Sequence, residues 1–237
     1  MIKIKDYLRV LRREIHIRSG KSPNAHVQIR IAKERHGSDY GGWVIKQQTI
    51  NKNSIVYSVG IGNDITFDLS MIDKYGVNVF AFDPTPQVKE WLVLQKTPTQ
   101  FIYKAIALSD EDGTMKFYKP ANPNYISHSF VPINKDEEFV EVPAQRLQTI
   151  MKDSGHTYID ILKMDIEGAE YPVLRDILNS NIKVNQILVE FHHFFSAFSK
   201  TDTESTIALM NRHGYKIFSI SPNGYEYSFI HERIAGL

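Results

Sequence analysis

The sequence predicts a single α/β domain, a mostly parallel sheet with helices on both faces. Three observations predict it. From residue 54 onward, apolar runs of strand length alternate with stretches of helical spacing. The runs are nearly continuous in aliphatic residues, as strands buried on both faces are. Two of them end in residues suited to ligand contact, Gly60-Ile61-Gly62 and Asp83-Pro84, and open sheets of this kind bind ligands beyond the carboxyl ends of their strands.

The elements follow in order. Ile4, Leu8, Leu11 and Ile15 recur at helical spacing in a basic segment: residues 1–21 hold seven basic and two acidic side chains, an excess of +5, while the rest of the chain carries −4. The plain reading is a surface helix packed by its apolar stripe. The sharper one is weak contact with a membrane surface or another polyanion. Residues 1–45 are thus read as an N-terminal helical extension and cap, and 46–237 as the α/β domain. Within the latter, Ser54–Val59 is a strand, Thr66–Tyr75 a helix, Asn78–Phe82 a strand, Val88–Leu94 a helix and Phe101–Leu108 a third strand. Met115–Tyr118 reads as extended after the turn at Asp112-Gly113. The Pro-, Asn- and Ser-rich stretch 119–138 reads as a long loop, the kind that tends to carry function. Leu147–Lys152 is helical, Ile159–Met164 a strand, Tyr171–Leu178 a helix, Gln186–Phe191 a strand and Thr203–His213 a helix. Tyr215–Ser221 and Tyr225–Ile230 flank Pro222-Asn223-Gly224 as an antiparallel hairpin.

Composition narrows the class. The chain of 237 residues is 42% hydrophobic and 23% charged with a net charge of +1, ordinary for one globular domain and without a global pull toward nucleic acid. It has no cysteine, so disulfides and thiolate metal sites are excluded. No apolar run approaches the length of a membrane span, and the N-terminus lacks the apolar stretch of a signal peptide. A cytoplasmic protein is the simplest expectation. Oligomeric state is not read from these features.

Candidate site residues cluster at strand ends. A glycine turn such as Gly60-Ile61-Gly62-Asn63 lets backbone approach a ligand closely, although alone it is equally a tight strand-to-helix turn. Asp83 stands 23 residues after Gly60, where a carboxylate can accept from both ribose hydroxyls of a nucleoside. A dinucleotide turn would place a third glycine where Ile65 stands, and Asp64 beside the turn disfavours a pyrophosphate. S-adenosylmethionine, a sulfonium cation without phosphate, fits that chemistry better. Lys163, Asp165 and Glu167 alternate at the end of one strand and are expected on one face, where they pair or face a cavity. Glu170 near a helix start suits the helix dipole. Glu190 and His192 share a face at the end of the next strand, and a histidine titrating near neutrality can take a proton from a hydroxyl. His192, Glu190 and Glu167 are therefore the candidate catalytic groups. Carboxylates with imidazole also suit a divalent metal, but no ligand spacing supports one, and no metal is expected. Tyr40, Trp43, Tyr125, His128 and Ser129 are candidates for a substrate-contacting cap, with packing as the alternative for each.

Ile161-Leu162-Lys163-Met164-Asp165-Ile166-Glu167-Gly168-Ala169-Glu170 resembles the signature of the FkbM-type methyltransferases. Tyr57-Ser58-Val59-Gly60-Ile61-Gly62, Phe82-Asp83-Pro84, Ala107 with Asp110 and Gly113, Leu188-Val189-Glu190-Phe191-His192 and Ser38-Asp39-Tyr40-Gly41-Gly42-Trp43 are similar to other segments of that family, in order and spacing. The chain departs at Ser58, where many class I methyltransferases carry an acidic residue. The resemblance spans about residues 36–231. It implies a Rossmann-like class I methyltransferase fold with a mostly parallel seven-stranded sheet and an antiparallel C-terminal edge hairpin. It also implies S-adenosylmethionine as cofactor, held by Gly60, Ile61, Gly62, Asn63, Asp83, Pro84, Ala107 and Asp165, and O-methylation of a sugar, glycan or other small molecule. A nicotinamide-dependent oxidoreductase, or a non-catalytic nucleoside-binding protein, is the alternative on the same architecture.

Overall fold

The structure, a computed structural model, describes residues 4–118, 138–195 and 197–236. In chain order it contains α1 (Ile4–Arg18), β1 (Lys33–His36), β2 (Trp43–Lys46), β3 (Ile55–Val59), α2 (Thr66–Tyr75), β4 (Asn78–Phe82), α3 (Pro86–Val93), β5 (Phe101–Lys104), β6 (Ala107–Ser109), β7 (Gly113–Tyr118), β8 (Phe139–Arg146), α4 (Leu147–Asp153), β9 (Ile159–Met164), α5 (Glu170–Asn179), β10 (Val184–Glu190), α6 (Lys200–Arg212), β11 (Tyr215–Ile220), β12 (Glu226–His231) and α7 (Glu232–Ala235).

Seven strands form the main sheet in the order β11-β12-β10-β9-β3-β4-β5. β3, β4, β5, β9 and β10 are joined by parallel pairings, and β12 runs antiparallel to both β10 and β11. Alternation along each strand divides the core. Tyr57, Leu162, Ile187 and Val189 pack with α4, α5 and α6 on one face. Val56, Ile161, Leu188, Val79 and Ala81 pack with α2 and α3 on the other. Every residue of β9 is buried, including Asp160 and Lys163 among its aliphatic residues. The chain builds outward from β3 through β4 to β5, then returns to place β9 on the opposite side of β3. The crevice between β3 and β9 is thus the point where strand order reverses, the usual ligand position in open α/β sheets.

Several expectations are corrected. The N-terminal region is helical only to Arg18; residues 33–46 form an antiparallel hairpin. Trp43 and Ile45 of that hairpin are buried in the same core as Phe67 and Met71 of α2. The apolar stripe of α1 is not packed: Ile4, Leu8, Leu11 and Ile15 are exposed, and no residue of the helix is buried. The expected third strand, Phe101–Leu108, is two strands. β5 joins the main sheet, the chain turns where Ile106 N–H donates to Lys104 C=O at 3.0 Å, and β6 enters a three-stranded sheet of order β6-β8-β7. Strand β8 was not expected, because Pro143 within it and the loop-like composition before it argue against a strand. It pairs with β7 through register Thr114–Pro143. Tyr125, His128 and Ser129 lie outside the described residues.

Candidate active site

One cavity lies at the carboxyl ends of β3, β4 and β9. The space it encloses, open mouth included, is about 890 Å³. Gly60, Ile61, Gly62, Asn63, Asp83, Pro84, Ala107, Asp165, Glu167, Tyr40 and Trp43 all line it.

The glycine turn is built by close approach on one side and open space on the other. Gly60 has φ +69°, and a Cβ there would sit 1.7 Å from the Asp165 carbonyl oxygen. β3 and the loop after β9 can close together only over a residue with no side chain. Gly62, at φ +53°, has nothing within 4 Å of its Cβ position. Its N–H donates to Asp83 Oδ2 at 3.0 Å, and Thr85 N–H donates to Asp83 Oδ1 at 2.9 Å. Asp83 therefore holds the turn in place, and each of its oxygens keeps a further lone pair for a ligand hydroxyl. Asp64, on the opposite flank, accepts from Ser38 Oγ at 2.6 Å and ties the Ser38–Trp43 segment to the turn.

Lys163 corrects the sequence reading. β9 ends at Met164, so Lys163, Asp165 and Glu167 do not alternate on one strand face. Glu167 has φ +51° in the turn that follows. The buried Lys163 ammonium donates to the Val59 and Gly60 carbonyls. Its electrostatic partner is Asp68, fully buried on α2, whose carboxyl burial pushes up to about 6 while Lys163 pulls it down. Lys163 thus braces the glycine turn.

The residues after β9 and β10 form a stack of ionisable groups. Glu170, wholly buried at the start of α5, accepts from Gly168 N–H at 3.0 Å and from His192 Nδ1 at 2.5 Å. The other ring nitrogen, Nε2, lies 3.3 Å from Glu167 Oε2 and 3.7 Å from Asp165 Oδ1. His192 is buried and does not line the cavity; it stands behind Asp165 and Glu167, which do. Burial lowers its pKa, but the Glu170 carboxylate, then Glu167 and Asp165, outweigh that and raise it to about 10. The sequence expectation that it titrates near neutrality is corrected accordingly. Glu190, at the end of β10, is pushed up to about 9 by burial and then by Asp165 and Glu226. Asp165, Glu190 and His192 offer ligand atoms within 4.8 Å of one another, a set that could hold a divalent cation.

These shifts have a consequence for stability. Both His192 and Glu190 carry folded-state pKa values above their ordinary ones, so the folded chain binds more protons than the unfolded chain between those limits, and stability falls as pH rises. In chelator-treated buffer, the unfolding free energy is expected to fall from about pH 5 to about pH 9, and Glu190→Gln, which removes one of the two groups, to make that fall smaller by about 1–3 kcal/mol. An unchanged pH slope in the variant, read by thermal denaturation, contradicts the assignment.

Sequence reasoning missed Glu170 as the partner of His192, and it missed the apolar wall. Leu108, Met115, Phe117, Val88 and Ile166 line the cavity along with the acidic groups. Met115 and Phe117 are two apart on β7, so they share a face; that alternation was visible in the sequence, but its direction was not.

The human and rat proteins each named "Probable methyltransferase-like protein 24" are 27% and 26% identical to the chain over 166 residues. Those alignments cover 69% of this chain but only 39% of each relative, so the chain spans well under half the length of the curated relatives it matches. The family model described as the methyltransferase FkbM domain matches residues 30–217, which include the glycine turn, Asp83, the Asp165–Glu170 segment and His192. The chain therefore belongs to the FkbM methyltransferase family.

Proposed function

We propose that the chain transfers the methyl group of S-adenosylmethionine to an oxygen of a sugar, glycan or other small molecule. The observation that carries the reading is the charge of the cavity wall. Asp64, Asp83, Asp165 and Glu167 line it, and its one cationic lining residue among those described, Lys163, is committed to backbone carbonyls. Such a wall suits a sulfonium cation and repels the pyrophosphate of a nicotinamide dinucleotide. The open space beyond Gly62 and the free lone pairs of Asp83 fit a nucleoside, and the apolar wall of Leu108, Met115 and Phe117 suits a purine ring. The cofactor, when bound, supplies an electrophilic methyl group.

The chain's own residues would do the rest. The glycine turn and Asp83 fix the nucleoside, and alignment of the acceptor with the methyl group supplies much of the acceleration. Asp165 and Glu167 both line the cavity in front of His192, and Glu167 is the nearer to its Nε2, at 3.3 Å against 3.7 Å, so it is the group placed to take the acceptor's proton. His192 positions it, and Glu170 fixes the ring. Glu190 stands beside this stack and tunes its charge.

Asp83→Ala is expected to weaken S-adenosylhomocysteine binding by about 1–3 kcal/mol, the cost of unpairing hydrogen bonds to a charged group. Titration calorimetry on the folded variant checks this; unchanged affinity removes Asp83 from the site. The reaction itself is tested by incubating the protein with isotopically labelled S-adenosylmethionine and a panel of sugars, glycolipids and phenols. Label in a sugar or glycan oxygen supports the reading, and label in none of the panel counts against it.

A further inference from the structure

The function proposed above makes no use of α1. The helix is seated by one side only. Arg13 Nη2 donates to the Ala25 carbonyl at 2.6 Å, and the Arg13 stem lies against Gly224 in the β11–β12 turn, where a Cβ would meet its Cδ at 2.8 Å. With 3.6 residues per turn, Ile4, Leu8, Leu11 and Ile15 fall on the side opposite Arg13. Their exposures are 81%, 58%, 49% and 56%, and Tyr7 beside them is 64% exposed. Lys5 and Arg12 run along one edge of this stripe, with Arg9 further round and paired with Asp6 at 3.3 Å, and Arg18 stands at the other edge beside Glu14; all four cations are exposed. A helix of 15 residues is too short to cross a bilayer, and an apolar stripe with a basic edge suits it to lie in the surface plane.

We infer that α1 docks the protein on a bilayer surface rich in anionic lipid, with the Ile4–Leu8–Leu11–Ile15 stripe among the acyl chains and the flanking lysine and arginines on the headgroups. Charge decides the occupant. A second copy seated stripe to stripe would bring two net-basic helices together, which like-charge repulsion opposes. An anionic surface instead complements the basic edge, and each basic residue near it adds roughly a five-fold preference over a neutral surface.

The test is co-sedimentation of the full chain with phosphatidylcholine vesicles, with and without about 30% phosphatidylglycerol. Binding is expected to the anionic vesicles, at least about ten-fold stronger than to neutral ones, and to weaken in high salt. Leu8→Glu with Leu11→Glu, and separately Arg9→Glu with Arg12→Glu, are each expected to reduce it at least about ten-fold. All four side chains are exposed, so the melting temperature should be retained and is measured alongside. The inference is overturned if the wild-type chain ignores anionic vesicles, if both variants bind as it does, or if the stripe instead holds a dimer that Leu8→Glu with Leu11→Glu dissociates.

Discussion

Gly60→Val is expected to abolish cofactor binding and to destabilise the domain, whereas Gly62→Ala should leave the fold intact. The two glycines sit two residues apart in one turn, both with positive φ, yet their surroundings differ completely. At Gly60 a Cβ would lie 1.7 Å from the Asp165 carbonyl oxygen. That contact is between two main chains, so no side chain can rotate away; β3 and the β9 loop must separate. Separation would also withdraw the Val59 and Gly60 carbonyls from Lys163 and leave a buried ammonium without its hydrogen-bond acceptors. Roughly 3 kcal/mol or more of stability is expected to go. At Gly62 nothing lies within 4 Å, so an alanine costs only the left-handed backbone conformation, about 1 kcal/mol. Its methyl group would still occupy the space proposed for the nucleoside. Thermal denaturation and S-adenosylhomocysteine titration, run on both variants, separate these effects. A Gly60→Val protein that melts and binds like wild type would contradict the packing described.

Glu167→Gln is expected to lower methyl-transfer turnover by about 10²–10⁴-fold, the usual worth of a general base, with little change in S-adenosylhomocysteine affinity. The amide keeps the shape of the side chain and cannot take the acceptor's proton. His192→Ala should also reduce turnover, for a different reason: it removes the ring held 3.3 Å behind Glu167 and leaves Glu170 buried without that partner. The pH profile distinguishes the roles. In the wild type, the His192 proton, held up to about 10, is retained across neutrality and stabilises Glu167 as a carboxylate. Losing it in His192→Ala or His192→Phe should shift the acidic limb of kcat toward higher pH. A purely structural role predicts a lower rate with an unmoved limb. If Glu167→Gln retains near-wild-type turnover, the acceptor is deprotonated elsewhere and positioning alone carries the rate.

Much of the sheet was legible because period and burial agree. α2, β4 and β9 occupy the ranges expected for them, since each is a single periodic run bounded by glycine, asparagine or aspartate. The Gly60 turn and Asp83 were legible because both stand at strand ends, and strand ends meet in this architecture. Elements that depend on distant partners were not. β8 contains a proline and acquires its strand character from β7 and β6. The hairpin of β1 and β2 is short and is fixed from outside itself: Lys46 N–H donates to Gln186 Oε1, and Ser228 Oγ donates to the Val44 carbonyl. Within the site, the charged members stood out in the sequence, but their order did not. Glu170 and His192 are 22 residues apart and meet only because α5 starts beside the end of β10. The amphipathic spacing of α1 was plain, yet a stripe does not reveal whether protein or solvent lies against it. Arg13, which orients the helix, looked like any other basic residue.

The acid-walled cavity is expected to accept a sulfonium nucleoside in preference to a dinucleotide. Thermal denaturation of the wild-type chain with S-adenosylmethionine, S-adenosylhomocysteine or NAD tests that preference most directly. Stabilisation of about 2.7 kcal/mol is expected with S-adenosylhomocysteine at roughly a hundred times its dissociation constant, with a comparable effect of S-adenosylmethionine and no shift with NAD. Stabilisation by NAD, with none from either sulfur nucleoside, would contradict that preference.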